Sequence, residues 1–461
     1  MAGYDVIVVG SGPAGIFAAL ELIKKDNLKV LVLEKGPDIE KRKCYERTTG
    51  KCAHCKPCRI TSGWGGAGAF SDGKLTLSTE IGGWLSEYVG ERELTNLIGY
   101  VDSVYREFGA TDVVHGTDED KVNRLQKKAT LADMRLVPMQ VRHLGTDRSY
   151  DILTAMKERL GYHIDIQTGV RVSHILVEND RVAGVLTGDG QVITGKHVIA
   201  APGREGAEWL NIEARRLGLK TVNNAVDIGV RVEVPAVVME PLTKDLYEPK
   251  LIYTSKSFQD RVRTFCVSPY GVVASESTDG ITTVNGHSYA EKKTENTNFA
   301  LLVSTTFTEP FHEPIAYGKY IARLANLLGE GIIVQRLGDL TDGHRSTPER
   351  IARGTTVPTY TEATPGDLSF VLPYRYISDI KEMLVALDRL APGVNSRNTL
   401  LYGVEVKFYS SRLKLKPTLE TEIKNLYAIG DGAGVTRGLM QSSASGIVAA
   451  RAILNSIAGR K

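Results

Sequence analysis

A surplus of charge of either sign is missing from this sequence: Lys plus Arg number 57 and Asp plus Glu 54 in 461 residues, a formal net charge of +3. That balance gives no broad basic face for nucleic acid or an anionic membrane. No run of eighteen apolar residues occurs, so no transmembrane helix is expected. The chain goes straight into a strand-like run, Tyr4-Asp5-Val6-Ile7-Val8-Val9, with no basic segment and cleavage site before it. A secretory signal is therefore not expected, and the cytoplasm is the expected compartment. H-E-x-x-H and G-x-S-x-G are also lacking, which argues against a metalloprotease and an α/β-hydrolase. What remains is ordinary globular composition, 42% apolar and 24% charged, in a chain long enough for two or three domains.

The chain opens as a βαβ unit: a buried strand at 4–9, glycines, a helix over 16–25 and a second buried strand at 29–34. Residues 35–79 are rich in Gly, Cys, Lys and Ser with little periodicity, and connections of that length are usually functional or disordered. Residues 84–160 read as mainly helical. A three-stranded meander follows at 169–172, 181–186 and 191–193, with Gly188-Asp189-Gly190 as its last turn. His197 to Ala201 then reads as another buried strand. Helices are expected near 315–328, 377–390 and 441–458, and a strand at 426–430. The expected class is α/β, a Rossmann-type domain (parallel sheet plus meander) with an inserted α+β substrate domain. The domains would be 1–80 with the cysteines, 81–150 as a helical insertion, 151–221, 222–395 as the substrate domain, and 396–461 as the C-terminal part of the first.

Gly10-Ser11-Gly12-Pro13-Ala14-Gly15 matches G-x-G-x-x-G after a strand and at the opening of a helix. In such a turn the first glycine permits the bend, the second admits a pyrophosphate, and the third lets helix and strand pack. The helix N-terminus then offers free N–H groups to the phosphates. Glu34, 19 residues after Gly15 at the end of the next strand, is placed to accept the ribose hydroxyls. With its Pro13, the fingerprint resembles the glutathione-reductase-like FAD superfamily. His197-Val198-Ile199-Ala200-Ala201-Pro202-Gly203-Arg204 looks like that superfamily's strand and small-residue turn. Leu426 to Gly434, with Gly430 and Asp431, looks like its final flavin motif. The resemblance implies FAD, with Asp431 on the ribityl chain and the following helix pointing its positive end at the flavin. It also implies cofactor contacts at Lys35, Val170, Gly203, Arg204, Arg437 and Gly438.

Gly65-Gly66-Ala67-Gly68-Ala69-Phe70-Ser71-Asp72-Gly73-Lys74-Leu75 resembles a motif of a little-characterised group of prokaryotic FAD-dependent dehydrogenases. Where that group often shows Cys-Pro-Gly-Gly, this chain has Ser268-Pro269-Tyr270-Gly271, so no substrate is inherited. The segment also imitates a P-loop, but Leu75 stands where Ser or Thr must hold Mg²⁺. It is expected instead against the FAD pyrophosphate or flavin edge, where small residues allow close approach.

Cys44, Cys52, Cys55 and Cys58 fall within fifteen residues, three of them spaced C-x2-C-x2-C. That spacing favours a [4Fe–4S] cluster, with zinc, held by four cysteines or by three and His54, as the alternative. A cluster there would connect FAD to a ferredoxin-like one-electron donor. Cys266 stands apart and reads as a buried core residue. No second G-x-G-x-x-G follows a strand, so NAD(P)H has no Rossmann site of its own. His287, His344, Arg345 and Tyr374, the last beside Arg375 and Tyr376, are weak candidates for binding an acidic substrate or moving a proton beside flavin N5. The expected function is an FAD-dependent dehydrogenase or reductase moving a hydride between flavin N5 and a small organic substrate. An FAD and iron–sulfur electron-carrier subunit is the alternative. A flavin-dependent RNA-modifying protein fits the near-neutral charge poorly.

Overall fold

The computed structural model describes residues 3–45, 53, 55–71, 73–222, 225–278, 280–288, 293–307, 311, 313–407 and 412–459. Two compact units emerge. The first comprises Met1–Val113, Arg142–Asn224 and Ser410–Lys461, and the second Val114–Val141 and Ala225–Tyr409.

The first unit is built on a sheet in the order Asp165–Thr168, Val30–Glu34, Tyr4–Val9, Val192–Ala200, Arg181–Thr187, Val172–Glu178. Val6 to Val9 and Val30 to Leu33 are all buried, as their unbroken apolar runs require of parallel strands covered on both faces. Val192–Ala200 is continuous where two strands were expected at 191–193 and 197–201. Its start pairs antiparallel with the meander (Val192 with Leu186), and its end runs parallel to the first strand (Ala200 with Val9). Exposure alternates from Val192 to Lys196 and stops at His197, so a half-covered strand becomes a central one without a break. On the far side Leu426–Ala428 joins parallel to Val198–Ala200. The first strand and the last therefore flank one and the same strand.

The stretch 81–150, expected as one helical insertion, is divided between the two units. Helices Glu91–Glu107 and Thr146–Gly161 belong to the first unit. Helix Glu119–Leu131 belongs to the second, together with the strand Met134–Val137, which pairs with Lys250–Thr254. The expected boundary at 395 also moves, to 409. Leu400–Lys407 is an interior strand of the second unit's sheet, between Ile333–Arg336 and Val226–Pro235. Among the described residues that sheet has eight strands. Along Val226–Pro235, Val226, Ile228, Val230, Val232 and Val234 join an apolar core with helix residues Met239, Leu242, Ile380 and Leu384. The alternate positions carry Asp227, Arg231 and Glu233, also buried, so this sheet has one oily and one charged face.

Candidate cofactor site

The three glycines of the nucleotide turn serve different ends. Gly10 has φ +105°, and a Cβ there would stand 2.2 Å from the Ala201 carbonyl oxygen. A Cβ on Gly15 would stand 2.0 Å from the Gly10 carbonyl oxygen. Both must be glycine for the backbone to pack. Gly12, the N-cap of helix Pro13–Leu22, has an ordinary φ of −72°. A Cβ on it would find only the Gly66 Cα, at 4.0 Å. The room at Gly12 lies where a phosphate approaches a helix N-terminus.

Glu34 is buried and accepts from Ser11 N and Ser11 Oγ, both at 3.0 Å, from Gly36 N at 2.8 Å and from Gly63 N at 3.0 Å. A carboxylate offers about four acceptor sites. Its expected partners, the ribose hydroxyls, must therefore share Glu34 with protein donors that join the turn, the strand end and the glycine loop. Its carbonyl receives Val170 N at 2.9 Å. Lys35 forms an ion pair with Glu205, which also accepts from Ser62 Oγ at 3.1 Å.

The glycine run, expected against the FAD pyrophosphate or flavin edge, packs against the nucleotide turn. Gly65 N donates to Ser11 O at 2.9 Å. Gly65 and Gly66 have φ of +86° and +56°, and a Cβ on Gly66 would stand 3.0 Å from the Gly12 Cα. Ala67 and Gly68 continue the short helix Gly66–Phe70. Sequence reading missed what holds this loop. Arg42, nearly fully buried, donates to the carbonyls of Arg59 (3.0 Å), Ile60 (2.6 Å), Trp64 (2.6 Å) and Gly66 (2.8 Å). Burial brings its pKa down to about 10. No local pattern marks an arginine whose partners are backbone carbonyls some twenty residues away.

At the other end of the chain, Gly430 has φ +73°, and a Cβ there would stand 3.0 Å from the Cβ of Ala14. Asp431 follows. Its carboxylate accepts from Thr436 Oγ1 at 2.9 Å and from Gly438 N at 3.3 Å. Burial pushes this carboxyl above the ordinary range, while the nearby Arg204 and Arg437 charges pull it back. Gly203 and Gly438 both face open space. Helix Leu439–Ile457 packs on helix Pro13–Leu22 through Gly446, where a Cβ would stand 2.1 Å from the Ala14 carbonyl oxygen.

Other expected residues are not gathered into a site. Cys44, Cys55 and Cys58 are free thiols of intermediate exposure, and Cys52 lies outside the described residues. Among the described residues no three His, Cys, Asp or Glu side chains stand together as metal ligands. His344, Arg345 and Tyr374 are exposed, and His287 ends the strand Ile281–His287; Tyr374 opens helix Tyr374–Leu387, while His344 and Arg345 lie in the loop between Leu337–Thr341 and Pro348–Ala352. Cys266 is not the core residue its apolar neighbours suggested. It is partly exposed, with φ +49°, at a bulge between Phe265 and Ser268. The extra residue of a bulge leaves the pleat, so alternation no longer assigns its side chain to the buried face.

The first unit fits FAD. It offers a helix N-terminus with room at Gly12, a loop of small residues against it, and a partly buried acid at Asp431 between two open glycines. Comparisons with known proteins agree. A family model described as an FAD binding domain matches residues 5–41. One described as "FAD-dependent protein, C-terminal domain-like" matches 226–408, and one described as "Glucose inhibited division protein A" matches 381–461. An uncharacterised protein of Clostridium beijerinckii is 27% identical over 97% of this chain and 80% of its own. Among solved structures, the L-proline dehydrogenase of P. horikoshii is similar at 12% identity and a TM-score of 0.44, over 100% of this chain and 94% of that one. A geranylgeranyl bacteriochlorophyll reductase-like protein of Thermoplasma acidophilum is similar at 14% identity and a TM-score of 0.44, over 100% and 80%.

Proposed function

We propose that this chain, whose matched segments are described as FAD-binding and FAD-dependent, is an oxidoreductase that moves a hydride between the flavin and a small organic substrate. The observation that carries this reading is the convergence of both chain ends on the strand Val192–Ala200, which puts the Gly10–Gly15 turn and Asp431 at the same end of one sheet. FAD, when bound, supplies the two-electron chemistry at its N5. The chain's own residues bind and orient. The N–H groups at the start of helix Pro13–Leu22 receive the pyrophosphate, and Glu34 receives the ribose, sharing its oxygens with Ser11 and Gly63. Asp431 holds the ribityl hydroxyls, and Gly65 to Gly68 close the phosphate side against water.

A ferredoxin-like one-electron donor is the proposed source of reducing equivalents, in keeping with the missing second nucleotide fingerprint. An iron–sulfur centre rests on cysteine spacing alone, and no step is assigned to it. The test is anaerobic: purified protein mixed with reduced ferredoxin or with NADH and NADPH, following flavin absorbance. Bleaching by ferredoxin with pyridine nucleotides inert supports the donor; bleaching by NAD(P)H alone overturns it. Iron, sulfide and zinc analysis of the same sample decides what the cysteines hold.

A further inference from the structure

The segment 79–85 carries no motif, yet it is laced to the flavin motif at the other end of the chain. Trp84 N donates to Val435 O at 2.9 Å, and Arg437 N donates to Gly82 O at 2.6 Å. Gly83 pairs with Thr436, where a Cβ would stand 2.5 Å from the Thr436 Cα. Gln441, buried in the first turn of helix Leu439–Ile457, holds the segment from below. Its Nε2 donates to the carbonyls of Thr79 (3.3 Å) and Ile81 (3.0 Å), and its Oε1 accepts from Leu85 N (3.4 Å). These bonds set the Trp84 indole against the guanidinium of Arg437, 4.2 Å from the ring centroid. Arg412 is farther, at 5.6 Å, and is paired with Glu87. Arg437 is also one of the two cations that act on Asp431.

We infer that Trp84 is a positioning residue of the flavin site: its ring holds the Arg437 guanidinium beside Asp431, where a fixed positive charge favours the flavin in its anionic reduced form. This rests on the reading that Gly430 to Gly438 binds FAD. A guanidinium on a flexible stem loses its rotamer freedom only where something restrains it, and a planar aromatic face does so.

The test uses FAD-saturated holoprotein of the wild type, Trp84→Leu, Trp84→Tyr, Arg437→Gln and the double variant Trp84→Leu/Arg437→Gln. Sulfite is titrated against flavin absorbance. Its sulfur bonds to flavin N5 with its own electron pair and leaves the ring system anionic, so its affinity reads the local positive charge rather than turnover. The sulfite Kd is expected to rise about five- to tenfold in Trp84→Leu and in Arg437→Gln, with no further rise in the double variant. Trp84→Tyr, which keeps an aromatic face, should stay within about twofold of wild type. Trp84→Met replaces Trp84→Leu if the latter does not hold flavin. Unchanged sulfite affinity in the leucine variant, or an equal loss in leucine and tyrosine variants, overturns the inference. A wild-type protein that binds no flavin overturns the FAD reading itself, and this inference with it.

Discussion

Gly10 and Gly12 stand two residues apart and separate folding from binding. An alanine at 10 meets the Ala201 carbonyl at 2.2 Å in a left-handed backbone, so Gly10→Ala should cost more than about 2 kcal/mol. An alanine at 12 meets only the Gly66 Cα, at an ordinary contact distance of 4.0 Å, so Gly12→Ala should leave apoprotein stability within about 0.5 kcal/mol of wild type. It should nevertheless weaken FAD, by about tenfold, because the methyl enters the phosphate's path. Urea melts of both apoproteins and a fluorescence titration with FAD check the pair. In the second unit, Asp379 is fully buried on helix Tyr374–Leu387, near Asp260, which Arg375 engages through two hydrogen bonds. Burial pushes the Asp379 carboxyl up to about 6 from an ordinary 3.8. Between those values the folded state binds more protons than the unfolded one, so stability should fall as pH rises from about 4 to about 6. Asp379→Asn should flatten that part of the profile and stabilise the protein at neutral pH. Urea midpoints across the range would show it, and an identical slope in both proteins would contradict it.

At the scale of elements, the glycine loop depends on one cation. Arg42→Met removes the donor from four carbonyls, and the expected cost is about 3 kcal/mol. Faster proteolytic cleavage between residues 59 and 66 than in wild type is the readout. The closing helix depends on Gly446: a side chain there collides with the Ala14 carbonyl, and Gly446→Leu should destabilise the first unit by about 2–3 kcal/mol in urea. Long helices were readable from periodicity. The expected 315–328, 377–390 and 441–458 became Pro314–Gly329, Tyr374–Leu387 and Leu439–Ile457. The four-residue strand Met134–Val137 was not, because too short a run shows no period. The loop from 35 to 79 was readable as functional but not as a shape, since Arg42 and Glu34 build it through contacts that leave no local pattern.

At the scale of the whole chain, the nucleotide turn and the final flavin motif were legible 420 residues apart, because each needs small residues at fixed offsets. The second unit was legible as β-rich runs with two helices, without its strand pairing. Its charged sheet face, with Arg231 and Glu405 both fully buried and 3.3 Å apart, joins residues 174 positions apart. Valine alternation announces one face of a strand and is silent about what pairs on the other. The same silence hid Trp84, which gains its meaning only beside Arg437. The central claim, that this chain is built around FAD, is tested most directly by denaturing the purified protein and quantifying the released flavin by chromatography. FAD is expected at about one per chain, non-covalently held. A preparation that releases none, and that leaves the fluorescence of added FAD unquenched, would contradict it.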